Sequence, residues 1–66
     1  MNETQKNAQL KLDAMNDDLL DILYDELKER FGRGYFGVNI RRHLSESIND
    51  PDSNEIAEYV LAWEAE

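Results

Sequence analysis

No cysteine occurs in this chain of 66 residues, so no disulfide can staple it and no thiolate can hold a metal. That absence is compatible with a reducing compartment, and a cytoplasmic location is the expectation. Long apolar runs are missing too. Nothing approaches the ~20 consecutive apolar residues of a spanning helix, and no apolar leader segment stands near the start, so neither membrane insertion nor secretion is expected. Histidine occurs once, as His43, which rules out a two-histidine metal pair. Ser45 and Ser47 are close in sequence but point apart on a helix. Catalysis needs a nucleophile or metal, an acid or base, and a concave site to hold them. None of these is assembled by the pattern, so neither enzymatic activity nor a cofactor is expected.

Positive charge is scarce as well. Seven Lys and Arg face fifteen Asp and Glu, a formal net charge of −8. General nucleic-acid binding requires cations to replace counterions along the phosphate backbone, so this balance opposes it and favours attraction to basic proteins. The basic residues are nonetheless segregated. Lys28, Arg30, Arg33, Arg41 and Arg42 account for five of the seven, and a nucleic-acid contact through Arg41 and Arg42 stands as the second alternative.

With 41% hydrophobic residues the chain can fold rather than remain disordered. One domain is the limit at this length, and a domain so small buries only about 60% of its unfolded surface. Well-packed helices or self-association must then supply stability. The expected fold is all-α: a small three-helix bundle, with residues 1–7 a flexible tail and residues 8–66 a single helical domain. Helices are expected at about 16–31, 39–49 and 53–65. Ala8, Leu12, Met15 and Leu19 keep helical spacing, so residues 8–15 either extend the first helix backwards or form a short helix of their own.

The first of these helices organises the chain. Asn16 suits the N-cap, Asp17 and Asp18 suit the first turn, and Gly32 suits a left-handed stop. Leu20, Leu23, Leu27 and Phe31 form one stripe, widened by Leu19 and Ile22. The opposite face carries Asp17, Asp21 and Asp25 at four-residue spacing, with Asp18 and Glu29 beside them, so carboxylates recur every ~6 Å along the axis. Such a face either solvates the protein or meets a basic partner.

In the second helix Ile40, Leu44 and Ile48 form a narrow stripe, with Asn39 or Gly37 as cap. It stops at Asp50, which precedes Pro51. Arg41, Arg42 and His43 lie at its N-terminal end, where the helix dipole disfavours cations. They are expected to pair with an acidic face or to contact a partner. The third helix is expected to open with a capping box of Asp52 and Glu55, with Ser53 as competitor. It buries Ile56, Tyr59, Val60 and Trp63.

Three motif matches fail on context. Gly32-Arg33-Gly34-Tyr35-Phe36-Gly37 fits the dinucleotide fingerprint, which needs a preceding strand, whereas a helix precedes it here. Tyr35 and Phe36 instead form an aromatic loop that covers the core or, with Arg33, contacts a partner. Asp50, Asp52 and Asn54 alternate as in a calcium loop, but the places that need glycine and glutamate hold Glu55 and Leu61. As a helix-turn-helix, the second and third helices would present Asn54, Glu55 and Glu58 to phosphates, which repel them. The three-helix pattern, with a glycine-aromatic loop and Ala57-Glu58-Tyr59-Val60-Leu61, resembles ubiquitin-associated-type domains over about half of the chain. The longer spacing between the last two helices departs from that family, and no membership is read from it.

These observations lead to a non-enzymatic protein-binding regulator or inhibitor. Its acidic face (Asp17, Asp18, Asp21, Asp25 and Glu29) is expected to meet a basic surface of a target protein, one that in other circumstances holds nucleic acid. Size and charge suit the accessory proteins of phages and plasmids. The first alternative is a structural module that self-associates, as a homodimer or larger, through Leu12, Met15, Tyr35, Phe36 or Trp63.

Overall fold

The computed structural model describes residues 2–32 and 39–64, and among these residues the fold is all-α, a small helical bundle. Four helices occur among the described residues, α1 (Glu3–Asp13), α2 (Asp17–Phe31), α3 (Ile40–Ile48) and α4 (Glu55–Ala62), so residues 8–15 take the second of their two expected forms, a helix of their own alongside the expected three.

The added helix corrects the expectation of a tail. Residues 3–7 belong to α1, which buries Gln5, Ala8 and Leu12. Asn2 opens it: its Oδ1 accepts from the Gln5 N–H at 2.8 Å, and Glu3 sits in the first turn where the dipole favours an acid. The polar composition of this stretch hid a helix that docks largely through polar groups.

Asparagine precedes every helix. Asn16 accepts from the Leu19 N–H at 2.9 Å and Asn39 from the Arg42 N–H at 3.1 Å, both as the third residue of a new helix. Asn16 is therefore a fresh start, and residues 8–13 end a separate helix instead of extending α2. At α4 the pattern fails. Asn54 (φ −99°, ψ 5°) is not extended, so its side chain cannot reach back to cap; its Oδ1 accepts from Asn2 Nδ2 at 2.7 Å instead. Nor does the Asp52–Glu55 capping box form. Asp50 Oδ1 accepts from the Asp52 N–H, Ser53 Oγ accepts from the Glu55 N–H, and α4 begins two residues later than expected. Gly32 closes α2 at φ 68°, a left-handed geometry that glycine adopts without a Cβ penalty, and donates to the Lys28 carbonyl at 2.8 Å.

The core joins Ala8, Leu12 and Met15 to the α2 leucines Leu20, Leu23 and Leu27, and to Leu44, Ile48, Ile56, Ala57 and Val60. The helix starts of α1 and α4 meet at Asn2 and Asn54, and Lys11 reaches the end of α4, so these two helices run side by side in the same direction. Against α3 the order reverses: Gln5 meets Asp50, Gln9 meets Ser45 and Asn49, and Leu12 meets Arg41. α1 is thus wedged between α3 and α4. Tyr59 of α4 faces α2, edge-on to Phe31 with centroids 5.8 Å apart, its hydroxyl donating to Glu26 at 3.3 Å.

Candidate functional site

The leucine stripe of α2 fixes what its other side presents. With Leu20, Leu23 and Leu27 buried, Asp17, Asp18, Asp21, Asp25 and Glu29 are all exposed. Among the described residues none of these five carboxylates takes part in a hydrogen bond or ion pair. Ile22 corrects the sequence reading. It does not widen the buried stripe but is 47% exposed among these acids. At ~100° per residue it lies about 200° from Leu20 on the helix, a position from which the exposure was readable. Asp18, Asp25 and Glu26 stand three or four positions from it, neighbours on a helix surface, and Glu29 lies two turns further along the same side. Glu26 turns towards Tyr59 and is half-buried.

Lys28 and Arg30 lie exposed on α2 itself, and several cations of the other helices have work inside the fold. Arg41 is half-buried and does not pair with the acidic face. Its Nη1 donates to the Leu12 carbonyl at 3.0 Å and its Nη2 to the Met15 carbonyl at 2.7 Å, in the break that follows α1. A guanidinium fork suits two carbonyls at once. The charge that is misplaced on its own helix is thus well placed at the negative end of another. Lys11 repeats the arrangement at the end of α4, its Nζ donating to the carbonyls of Leu61 and Trp63. Arg30 lies over the Tyr59 ring, 5.2 Å from its centroid. Arg42 is exposed and pairs with Glu46 one turn on, at 3.3 Å. The two arginines named together as a contact pair therefore have different surroundings, and only Arg42 is open to a partner.

Of the residues expected in self-association, Leu12 and Met15 are buried in the core. Trp63 is half-buried and borders a shallow apolar depression with Ala14, Met15 and Leu19, rimmed by Lys11 and Glu64. Arg33, Tyr35 and Phe36 lie outside the described residues, as does most of the glycine motif. A second hollow, between Phe31, Ser47, Ile56 and the α3–α4 turn, is lined by Asp50, Ser53 and Glu55. Ser47 Oγ there donates to the His43 carbonyl, and Tyr24 packs edge-on to His43 at 6.0 Å. Among the described residues no three His, Cys, Asp or Glu are grouped to hold a metal ion. No helix among them is long and apolar enough to cross a membrane.

The fold and this face define a small all-α helical bundle with one strongly acidic helix surface. Comparison with protein-family models, curated proteins and solved structures gives no match.

Proposed function

We propose that the chain is a non-enzymatic protein-binding regulator or inhibitor, and that the outer face of α2 docks on a basic surface of a target protein. One observation carries this reading: Asp17, Asp18, Asp21, Asp25 and Glu29 have no partner among the described residues, and an exposed Ile22 stands one helical turn from Asp18 and Asp25. Carboxylates alone would serve solubility. An isoleucine among them adds apolar contact area that solubility does not need, and interfaces gather charge around a contact centre that excludes water. Lys28 and Arg30 offset only part of the charge of this helix, and Lys11 and Arg41 are engaged at helix ends elsewhere. Charge of one sign on one face speeds encounter with an oppositely charged partner and makes it sensitive to salt. A target surface that normally binds nucleic acid has the required sign, and a carboxylate ladder would compete there in place of phosphate. A cytoplasmic setting fits the cysteine-free composition.

The test is capture from nuclease-treated lysate of the source cell or its host, with the wild type and the Asp21→Asn/Asp25→Asn variant as baits. A basic protein held by the wild type, weakened by the variant and displaced by added DNA is the expected result. Equal retention by both baits, or retention that disappears with nuclease, removes the proposal.

A further inference from the structure

We infer that the break between α1 and α2 is a latched hinge, and that opening it passes α1 to a second copy of this chain, which seats it on α3 and α4 in place of its own. The break comprises Ala14, Met15 and Asn16, with neither glycine nor proline. Ala14 still has helical angles (φ −85°, ψ −7°), and no non-glycine residue among those described has positive φ. Asn16 is extended (φ −82°, ψ 173°). In an uninterrupted helix the Leu12 carbonyl would accept from the Asn16 N–H and the Met15 carbonyl from the Leu19 N–H. Substitutes hold these groups in the bent chain. The Leu12 carbonyl accepts from the Met15 N–H at 3.0 Å in a tightened last turn, Arg41 donates to both carbonyls, and the Leu19 N–H is taken by Asn16 Oδ1. Two side chains therefore latch the bend, and each bond they make has a backbone replacement in the straight form. The apolar spacing of Ala8, Leu12, Met15 and Leu19 runs unbroken across it. Straightening would join α1 and α2 into one amphipathic helix from Glu3 to Phe31.

The seat that α1 leaves specifies its occupant. Its floor is apolar, with Leu44, Ile48, Ile56 and Val60. Its rim holds the Asp50 carbonyl that takes Gln5, the Ser45 and Asn49 side chains that donate to Gln9, and the Leu61 and Trp63 carbonyls that take Lys11. A helix with glutamines four apart and a lysine two further on fits these sockets, and α1 of a second copy is that helix. Exchange of an identical element creates a dimer with no new contact beyond the hinge, and short hinges favour it. Leu12 and Met15, closed to any partner in the monomer, would then lie at the junction between copies.

The absence of cysteine allows spin labels to be placed at Glu3→Cys and Glu29→Cys, both exposed positions. The latch is released by Asn16→Ala with Arg41→Met. It is locked by Asp17→Pro, because proline suits the first helical position and the residue before it prefers the extended backbone that Asn16 already has. Inside a continuous helix the same proline removes a backbone hydrogen bond and clashes with the carbonyl one turn before it. The released chain is expected to double its light-scattering mass and to keep its helical circular dichroism. In a sample diluted with unlabelled chain, its labels should stand about 39 Å apart, at ~1.5 Å per residue. That exceeds the longest 26 Å dimension of the bent chain. Adding Asp17→Pro should return it to a monomer with the shorter distance. A released chain that stays monomeric, dimerises with the short distance, or loses helicity without dimerising overturns the inference. So does a dimer that survives Asp17→Pro. The unlabelled wild type, concentrated and warmed, gives a reading free of latch substitutions: it should yield dimer where the Asp17→Pro chain yields none, and equal dimer content in the two overturns the inference.

Discussion

α1 and α2 are held in the bundle by opposite means. α2 sinks Leu20, Leu23 and Leu27 into the core and leaves Asp17, Asp18, Asp21, Asp25 and Glu29 outside, without a partner among the described residues. α1 buries only Ala8 and Leu12 as apolar helical residues, together with Gln5, and is fastened by Gln5, Gln9 and Lys11 to α3 and α4. The difference links fold to surface. A helix poor in apolar residues can dock if neighbouring helix ends supply unsatisfied carbonyls, since the last four of each helix lack internal partners. Those carbonyls draw Lys11 and Arg41 into the structure. Cations so placed do not offset the acids of α2, which outnumber the Lys28 and Arg30 of the same helix.

Substitutions can break or sharpen this contrast. The largest effect should come from the apolar side. Leu23 is fully buried, and Leu23→Ala should cost about 2–5 kcal/mol. That is comparable to the ~3–5 kcal/mol a core this small supplies, so urea titration should find the variant mostly unfolded in buffer. Next comes the polar fastening. Arg41→Met should lower stability by about 2–3 kcal/mol, as charge-assisted bonds to two carbonyls are lost, and Arg41→Lys should recover only part because an ammonium lacks the fork. Arg42→Met, beside it, removes an exposed pair worth about 0–1 kcal/mol. Equal urea midpoints for the two methionine variants would break the distinction between them. Gln5→Ala should cost about 1–3 kcal/mol by leaving the Asp50 carbonyl without its donor. The smallest effect on stability belongs to the acidic face, where Asp21→Asn/Asp25→Asn should stay within about 0.5 kcal/mol.

Much of α2 was legible in the sequence, and for a physical reason. Its cap, acidic first turn, leucine period and glycine stop are local signals that agree with one another, and Asn16, Leu27 and Gly32 stand where that agreement puts them. The start of α1 was hidden because periodicity registers apolar burial, and Gln5 is a buried polar residue whose partner lies 45 positions away. Asn2 with Gln5 at the third helical position was a readable sign of a helix start. Arg41 broke a local rule for cations, which correctly marked it as special, but the groups it serves are the Leu12 and Met15 carbonyls at the end of α1 and not the acidic face it was expected to meet. Ile22 was readable from helical angle alone and was lost by widening the stripe too far. α4 began late because the Asp50–Ser53 turn uses its side chains within the turn.

The most direct test of the acidic-face account is kinetic. The association rate of the captured basic protein should be measured for the wild type and for Asp21→Asn/Asp25→Asn across a range of salt. The account predicts a fast wild-type rate that falls steeply with salt, and a slower, less salt-dependent rate for the variant, with both chains equally stable. Rates that coincide at low salt would contradict it and reduce the α2 face to a solubilising surface.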